Sequence, residues 1–128
     1  DAVIARSSRA VRVLEAASPP TFYLPPADVD LAQLVRVAGT TFCEWKGAAS
    51  YWALAAAPRA ARVAWSYETP TAGFAELAGY LCFYPSRVAC YVAGERVRAQ
   101  QSEFYGGWVT EEIVGPFKGE VGTGGWLG

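Results

Sequence analysis

Thr40 to Leu54, TTFCEWKGAASYWAL, reads as two aromatic β-type segments joined at Lys46-Gly47. Aromatic and β-branched residues fit a pleated, half-buried surface, and a glycine at the joint suits a turn. Polar atoms in this stretch are concentrated at Cys43, Glu44 and Lys46. If Thr41 to Lys46 is extended, Cys43 and Trp45 point to one face and Glu44 and Lys46 to the other. Glu44 and Lys46 then either hold a polar ligand or form a surface ion pair, and surface ion pairs are common. Cys43 reads as a small buried hydrophobe. Its activation as a nucleophile would have to come from Lys46 or a helix terminus, because the chain has no histidine.

On the N-terminal side, Ala2 to Ala5 and Ala10 to Leu14 are short β-type stretches separated by Ser7-Ser8-Arg9, which reads as a hairpin. Ser18-Pro19-Pro20 breaks the chain, and Thr21 to Leu24 is extended, partly because Leu24 precedes a proline. Pro25-Pro26-Ala27-Asp28 is a turn. Asp28 or Asp30 is placed to cap one or two helical turns covering Leu31, Leu34 and Val35. On the C-terminal side, Arg62 to Tyr67 is a strand with Val63, Trp65 and Tyr67 on one face. Pro70 opens a short helix carrying Phe74, Leu77 and Ala78, which Gly79 stops. Tyr80 to Tyr84 and Val88 to Val92 are uniformly apolar strands joined by Pro85-Ser86-Arg87. Ala93-Gly94 offers a second tight turn before Glu95 to Gln100, and Val109 to Val114 is the last strand.

Strands this short, with turn signals every eight to twelve residues, predict a mainly β protein: a small closed or barrel-like antiparallel sheet with two short helices. Closure would also remove exposed strand edges. At 128 residues the chain fits one domain with its own core. It begins at Asp1 and contains no Met, so the natural start is expected upstream.

Eleven basic residues against twelve acidic ones give net charge −1. The basic residues are scattered, with no stripe suited to a phosphate backbone, so nucleic acid is not an expected partner. No run reaches the roughly 18 apolar residues of a spanning helix, so a membrane is not expected either. Three irregularly spaced cysteines, Cys43, Cys82 and Cys90, point to a reducing, cytoplasmic compartment. Cys82 and Cys90 flank the Pro85-Ser86-Arg87 turn and read as two buried thiols, with a cross-strand disulfide as the alternative.

The absence of histidine removes Ser-His-Asp and Cys-His catalysis and the usual catalytic zinc sites. The isolated cysteines do not make a structural zinc site, and neither a phosphate loop nor a dinucleotide fingerprint is present. No metal or cofactor is called for. Phe104 to Trp126, FYGGWVTEEIVGPFKGEVGTGGW, holds seven of the thirteen glycines and two of the five tryptophans. Tyr105, Trp108 and Thr110 alternate there with Gly107 and Val109, and Lys118 follows Gly115-Pro116-Phe117. An aromatic wall with one or two cationic groups suits a planar anionic or polar small molecule. An aromatic core with tight glycine turns accounts for the same residues.

The segments RVLE, FYLPPADV, FCEWKGAASYW, AWSYETP, FYPSRV and GERV, followed by FYGGWVT, GPFKG and GTGGW, resemble the bacterial domain of unknown function 427 family over essentially the whole chain. Two positions depart from its pattern: Ala93, where an Asp commonly precedes Gly-Glu, and Val121, where a Pro commonly precedes Gly-Thr. The first weakens the tight-turn reading at 93–94. The resemblance implies a compact, mainly β domain related to the β-tent group of small folds, and no function. A nucleotidyltransferase label is attached to this family, but that chemistry needs two or three carboxylates holding Mg²⁺ and a phosphate-binding Gly-Ser, and no such cluster is evident here.

The leading expectation is a small-molecule-binding β domain whose pocket draws on Cys43, Glu44, Lys46, Tyr51, Trp52, Tyr67, Tyr105, Trp108 and Lys118. The alternatives are an enzyme using Glu44 or Glu95 as base with Lys46 or Lys118 stabilising charge, and a protein-interaction module with an exposed aromatic patch.

Overall fold

The computed structural model describes residues 3–14, 20–43, 46–99 and 107–110. Among these residues the regular structure is antiparallel β with short 3-10 segments at Pro26–Asp28, Leu31–Gln33 and Ala72–Leu77. The chain forms two compact units. One is built from residues up to Val11 together with Tyr23–Cys82, and the other from Arg12–Phe22 and from Phe83 onward.

The first unit is organised by the hairpin that the 40–54 stretch predicts. Strand β3 is Leu34–Cys43 and β4 is Gly47–Leu54, and the sheet continues through β5 (Ala64–Tyr67) and β6 (Leu81–Phe83) in that order. β3 and β4 pair antiparallel from Leu34↔Leu54 to Cys43↔Gly47, with a shift of register between Val37 and Thr40. Gly39 sits in that bulge at φ 98, where Arg62 reaches the carbonyl of Ala38 at 3.3 Å. A glycine at a bulge accepts the positive φ that the extra residue imposes. β5 pairs with β4 through Ala49↔Tyr67, Ser50↔Ser66, Tyr51↔Trp65 and Trp52↔Ala64. This register sends Val63, Trp65 and Tyr67 to one face, as their spacing requires.

The core of this unit is aromatic. Tyr23 is 1% exposed and accepts a hydrogen bond from Trp65 Nε1 at 3.0 Å. Its ring meets Trp65 edge-on at 6.1 Å between centroids and Tyr67 tilted at 6.3 Å. Edge-on and tilted pairs place the positive ring edge on a negative face, which adds to the area buried. The Leu24–Leu81 bridge, with N–H to O distances of 2.8 and 2.9 Å, brings the segment carrying Tyr23 to β6.

Several expectations change. Ala2 to Ala5 and Ala10 to Leu14 do not form a hairpin with each other. Ala5 bridges Val29, and β1 (Val11–Val13) pairs with β2 (Thr21–Tyr23). Asp28 causes this rerouting, because it accepts from Ser7 Oγ at 2.6 Å and from Arg9 at 2.7 Å and so holds the Ser7–Arg9 turn against itself. Neither of the two short helices is found among the described residues. Asp30 does cap a turn, accepting from the Ala32 N–H at 3.3 Å, but the turn ends at Gln33 and Leu34 and Val35 enter β3. Leu31, Leu34 and Val35 are spaced for a helix, yet strand pairing across to Leu54 and Ala53 wins over a single turn's weak helical preference. The 72–77 segment is 3-10 in character and kinked at Phe74, too short to nucleate an α-helix and carrying glycine at position 73. Gly79 ends it at φ 75 and donates to the Tyr67 carbonyl at 3.0 Å.

Nor is a closed barrel found among the described residues. β3 and β6 are the outer strands of the four-stranded sheet, and the other strands pair in twos. Closure needs consistent tilt and stagger around the whole ring, and strands of two or three residues supply too few ladder bonds to enforce it.

In the second unit, only the Tyr91–Val92 end of the Val88 to Val92 stretch is strand. The Tyr84 carbonyl accepts from both Arg87 and Val88 at 3.0 and 3.1 Å, which keeps the chain in the Pro85-Ser86-Arg87 turn through Val88. β7 (Tyr91–Val92) then pairs with β8 (Glu95–Arg96) across Ala93-Gly94. The tight turn forms despite alanine, with φ 49 at Ala93 and 84 at Gly94. A two-residue hairpin turn with positive φ at both centres favours Asn, Asp or Gly at the first position. Ala93→Asn is therefore expected to stabilise the protein by about 1 kcal/mol, read as a higher urea midpoint at unchanged slope. β9 (Arg98–Ala99) pairs with β10 (Trp108–Val109) through Trp108↔Ala99 and Val109↔Arg98.

Cys82 and Cys90 are both buried, and neither is in a disulfide. Burial pushes the Cys90 thiol up to about 12, with Arg96 opposing the shift. The reading as two buried thiols holds, and the alternative disulfide is not formed. The Arg9 hydrogen bond, joined by that of Ser7, holds the Asp28 carboxyl below its ordinary 3.8. A depressed carboxylate favours folding above its unfolded pKa, and that contribution is lost as pH falls through the folded value. Stability is thus expected to drop below about pH 4, and Asp28→Asn should flatten that part of an acid-denaturation profile.

Candidate functional site

Lys46 lies at the turn between β3 and β4, where Gly47 takes φ 108. The turn is held against the following segment, since the Lys46 carbonyl accepts from the Thr71 N–H at 3.0 Å. This close approach explains the glycine: a Cβ at position 47 would stand 3.2 Å from the Thr69 carbonyl oxygen and 3.4 Å from the Pro70 Cα. With its backbone fixed in this way, the Lys46 side chain turns inward and is only 8% exposed. Its Nζ lies 5.7 Å from the centre of the Tyr67 ring. The ring's negative face stabilises the ammonium, more strongly where water is excluded. Tyr67 in turn touches Tyr23, so a buried cation adjoins the aromatic core of the first unit.

Tyr51 and Trp52 are neighbours in β4, so they leave opposite faces of the sheet. Tyr51 shares the face of Trp65, its cross-strand partner. Its hydroxyl lies 2.6 Å from Thr41 Oγ1, and the Arg62 guanidinium stacks on its ring at 4.2 Å. Trp52 lies on the other face, where its Nε1 donates to Ser66 Oγ at 3.0 Å and the Arg36 guanidinium stands 5.7 Å above its ring.

Trp108 belongs to the second unit and is 5% exposed. Its indole N–H donates to the Phe83 carbonyl at 3.0 Å and its backbone N–H to the Pro20 carbonyl at 2.8 Å. Its ring packs on Phe22 at 5.2 Å. These contacts are those of a core tryptophan with its one polar handle satisfied internally. Cys43 pairs with Gly47 at the end of β3. Glu44, Tyr105 and Lys118 lie outside the described residues, as does most of the 104–126 stretch. Glu95, the other candidate base, is half-buried in β8.

The structure thus brings Lys46 and Tyr67 together, places Tyr51 on the Tyr67 face of the sheet, and puts Trp52 on the reverse with Arg36, Ser50, Ser66 and Glu68. Sequence reasoning passed over those last four. Alternation was the signal for two of them, since Ser50 is two residues from Trp52 and Ser66 shares the strand of Trp65 and Tyr67 on the opposite face; Arg36 lies just past the stretch read as a helical turn, and Glu68 lies just past β5.

The protein-family comparison matches residues 1–94 to a model described as Domain of unknown function (DUF427). The chain belongs to this family. The matched segment contains the whole four-stranded sheet, with Lys46, Tyr51, Trp52 and Tyr67, and the Ala93-Gly94 turn. Trp108 and the glycine-rich motifs lie beyond it. Among curated proteins, nothing matches the chain. Among the described residues no helix is long and apolar enough to cross a membrane.

Proposed function

We propose that this protein is a small-molecule-binding β domain and that Lys46 supplies the charge that recognises an anionic or strongly polar group. The observation that supports it most is the burial of the Lys46 ammonium against Tyr67 at the β3–β4 turn. Lysine ordinarily keeps its ammonium in water, because a buried charge is costly unless it is compensated. A turn that holds lysine inward, at a glycine whose Cβ the fold has no room for, prepares a cation of fixed position. Cys43 and Glu44, close to Lys46 in sequence, belong to the proposed lining, with Tyr51 and Tyr67 sharing one face of the sheet.

The test is native mass spectrometry of the purified protein against its denatured mass. A reproducible mass excess, lost on denaturation and absent from Lys46→Met, is the expected result. An excess unchanged in Lys46→Met would remove Lys46 from the site, and no excess even after incubation with a metabolite extract would count against the binding reading itself.

A further inference from the structure

The reverse face of the same sheet carries a second constellation, independent of Lys46. Arg36 on β3, Ser50 and Trp52 on β4 and Ser66 on β5 share that face by register, through Arg36↔Trp52 and Ser50↔Ser66. Glu68 follows two residues after Ser66. Arg36 donates from Nη1 to Glu68 Oε1 at 2.6 Å and from Nη2 to Ser50 Oγ at 2.8 Å, and its guanidinium stands over the Trp52 ring. Trp52 is fixed in turn by its hydrogen bond to Ser66.

The distribution of burial within this group is what a surface ion pair does not need. The Arg36 and Glu68 side chains are 47% and 46% exposed, while Ser50 and Ser66 beneath them are 6% and 1% exposed. An exposed ion pair contributes about 0–1 kcal/mol and requires no support. Here the buried Ser50 hydroxyl and the Trp52 indole hold the guanidinium from below, and the buried Ser66 hydroxyl fixes the indole, with the charged ends left facing water. Such an arrangement reduces the ordering that a ligand would otherwise impose on binding. Among the described residues these two bonds engage one Glu68 oxygen and two Arg36 N–H groups, and a guanidinium has five N–H donors and a carboxylate about four acceptor sites.

Charge then selects the ligand class. A simple anion gains at Arg36 and loses at Glu68 a few ångströms away, and a simple cation does the reverse. A molecule carrying both charges side by side gains at both. We propose that the Arg36–Glu68 pair, supported by Ser50, Trp52 and Ser66, binds a small zwitterion with the ammonium and carboxylate of a free α-amino acid. The carboxylate meets Arg36, the ammonium meets Glu68, and Ser50 with Trp52 keeps Arg36 oriented while Glu68 engages the ligand.

The experiment is saturation-transfer NMR of the full chain against a panel of the common free α-amino acids, with acetate and methylammonium as single-charge probes, followed by calorimetric titration of the strongest binder. The expected result is binding of at least one amino acid, with neither single-charge probe binding comparably. Arg36→Gln and Glu68→Gln should each weaken it by about tenfold or more, the effect of losing a charge-assisted hydrogen bond. Arg36→Lys keeps the charge and, at this half-exposed position, the fold, and should weaken binding as well because the fork is lost. Lys46→Met should leave it unchanged, which separates this site from the one proposed above. Absence of binding across the panel, equal binding of acetate, or affinity unaltered in Glu68→Gln and Arg36→Lys would overturn the proposal.

Discussion

Trp108→Ala is expected to lower the unfolding free energy by about 3–5 kcal/mol, the range for removing a buried large aromatic side chain. The indole is 5% exposed, packs on Phe22, and donates its N–H to the Phe83 carbonyl. Truncation therefore removes apolar contact from the second unit and deprives a backbone carbonyl of a donor at the same time. Trp108→Phe separates the two effects. It keeps most of the ring and loses only the hydrogen bond, for an expected cost of about 1–3 kcal/mol. Urea denaturation followed by circular dichroism measures both. A Trp108→Ala protein within about 1 kcal/mol of the parent would contradict the core role and return Trp108 to the ligand-wall reading.

Gly47→Ala is the second large effect. Its φ of 108 lies where L side chains are strained, and the added Cβ would press on the backbone of Thr69 and Pro70, which has no flexible end to move aside. Backbone strain of this kind costs about 1–3 kcal/mol, and separating the 69–71 segment from the turn to relieve it would break the Thr71 N–H to Lys46 carbonyl bond. The expected outcome is a loss at the upper part of that range together with weakened ligand retention, because the same turn aims Lys46. Thermal denaturation gives the first reading and native mass spectrometry the second. Unchanged stability would mean that the turn can adopt another geometry, and Lys46 would then not be held by it.

Where the sequence was legible, the determinants were local. The alternation of Val63, Trp65 and Tyr67 assigned a strand face before any partner was known, and the register with β4 agrees with it. Pro85-Ser86-Arg87 and Ala93-Gly94 announced turns that form where expected, the second even with an alanine at positive φ. Asp30 announced a cap. The joint at Lys46-Gly47 announced the hairpin that organises the first unit.

Where it was not, the deciding interaction spanned a long stretch of chain. Ser7 and Arg9 looked like the turn of a hairpin, but Asp28, some twenty residues on, claims both side chains. Leu34 and Val35 fitted a helix by spacing and became strand because Leu54 and Ala53 lie opposite them. The candidate site shows the same division. Lys46 and Tyr67 are 21 positions apart in sequence and meet only because β4 and β5 pair in one register. Arg36 and Glu68, 32 positions apart, meet for the same reason.

The sequence by itself determined the β character, most of the turns and the faces of individual strands, because side-chain alternation and the φ preferences of glycine and proline act over two to four residues. Tertiary structure alone decided which strands pair, that the sheet stays open among the described residues, that Lys46 turns inward while Arg36 and Glu68 face out, and that the Trp108 N–H is satisfied by Phe83. Those outcomes depend on contacts between distant segments whose free energies are small differences between burial and chain entropy, and no local pattern encodes them.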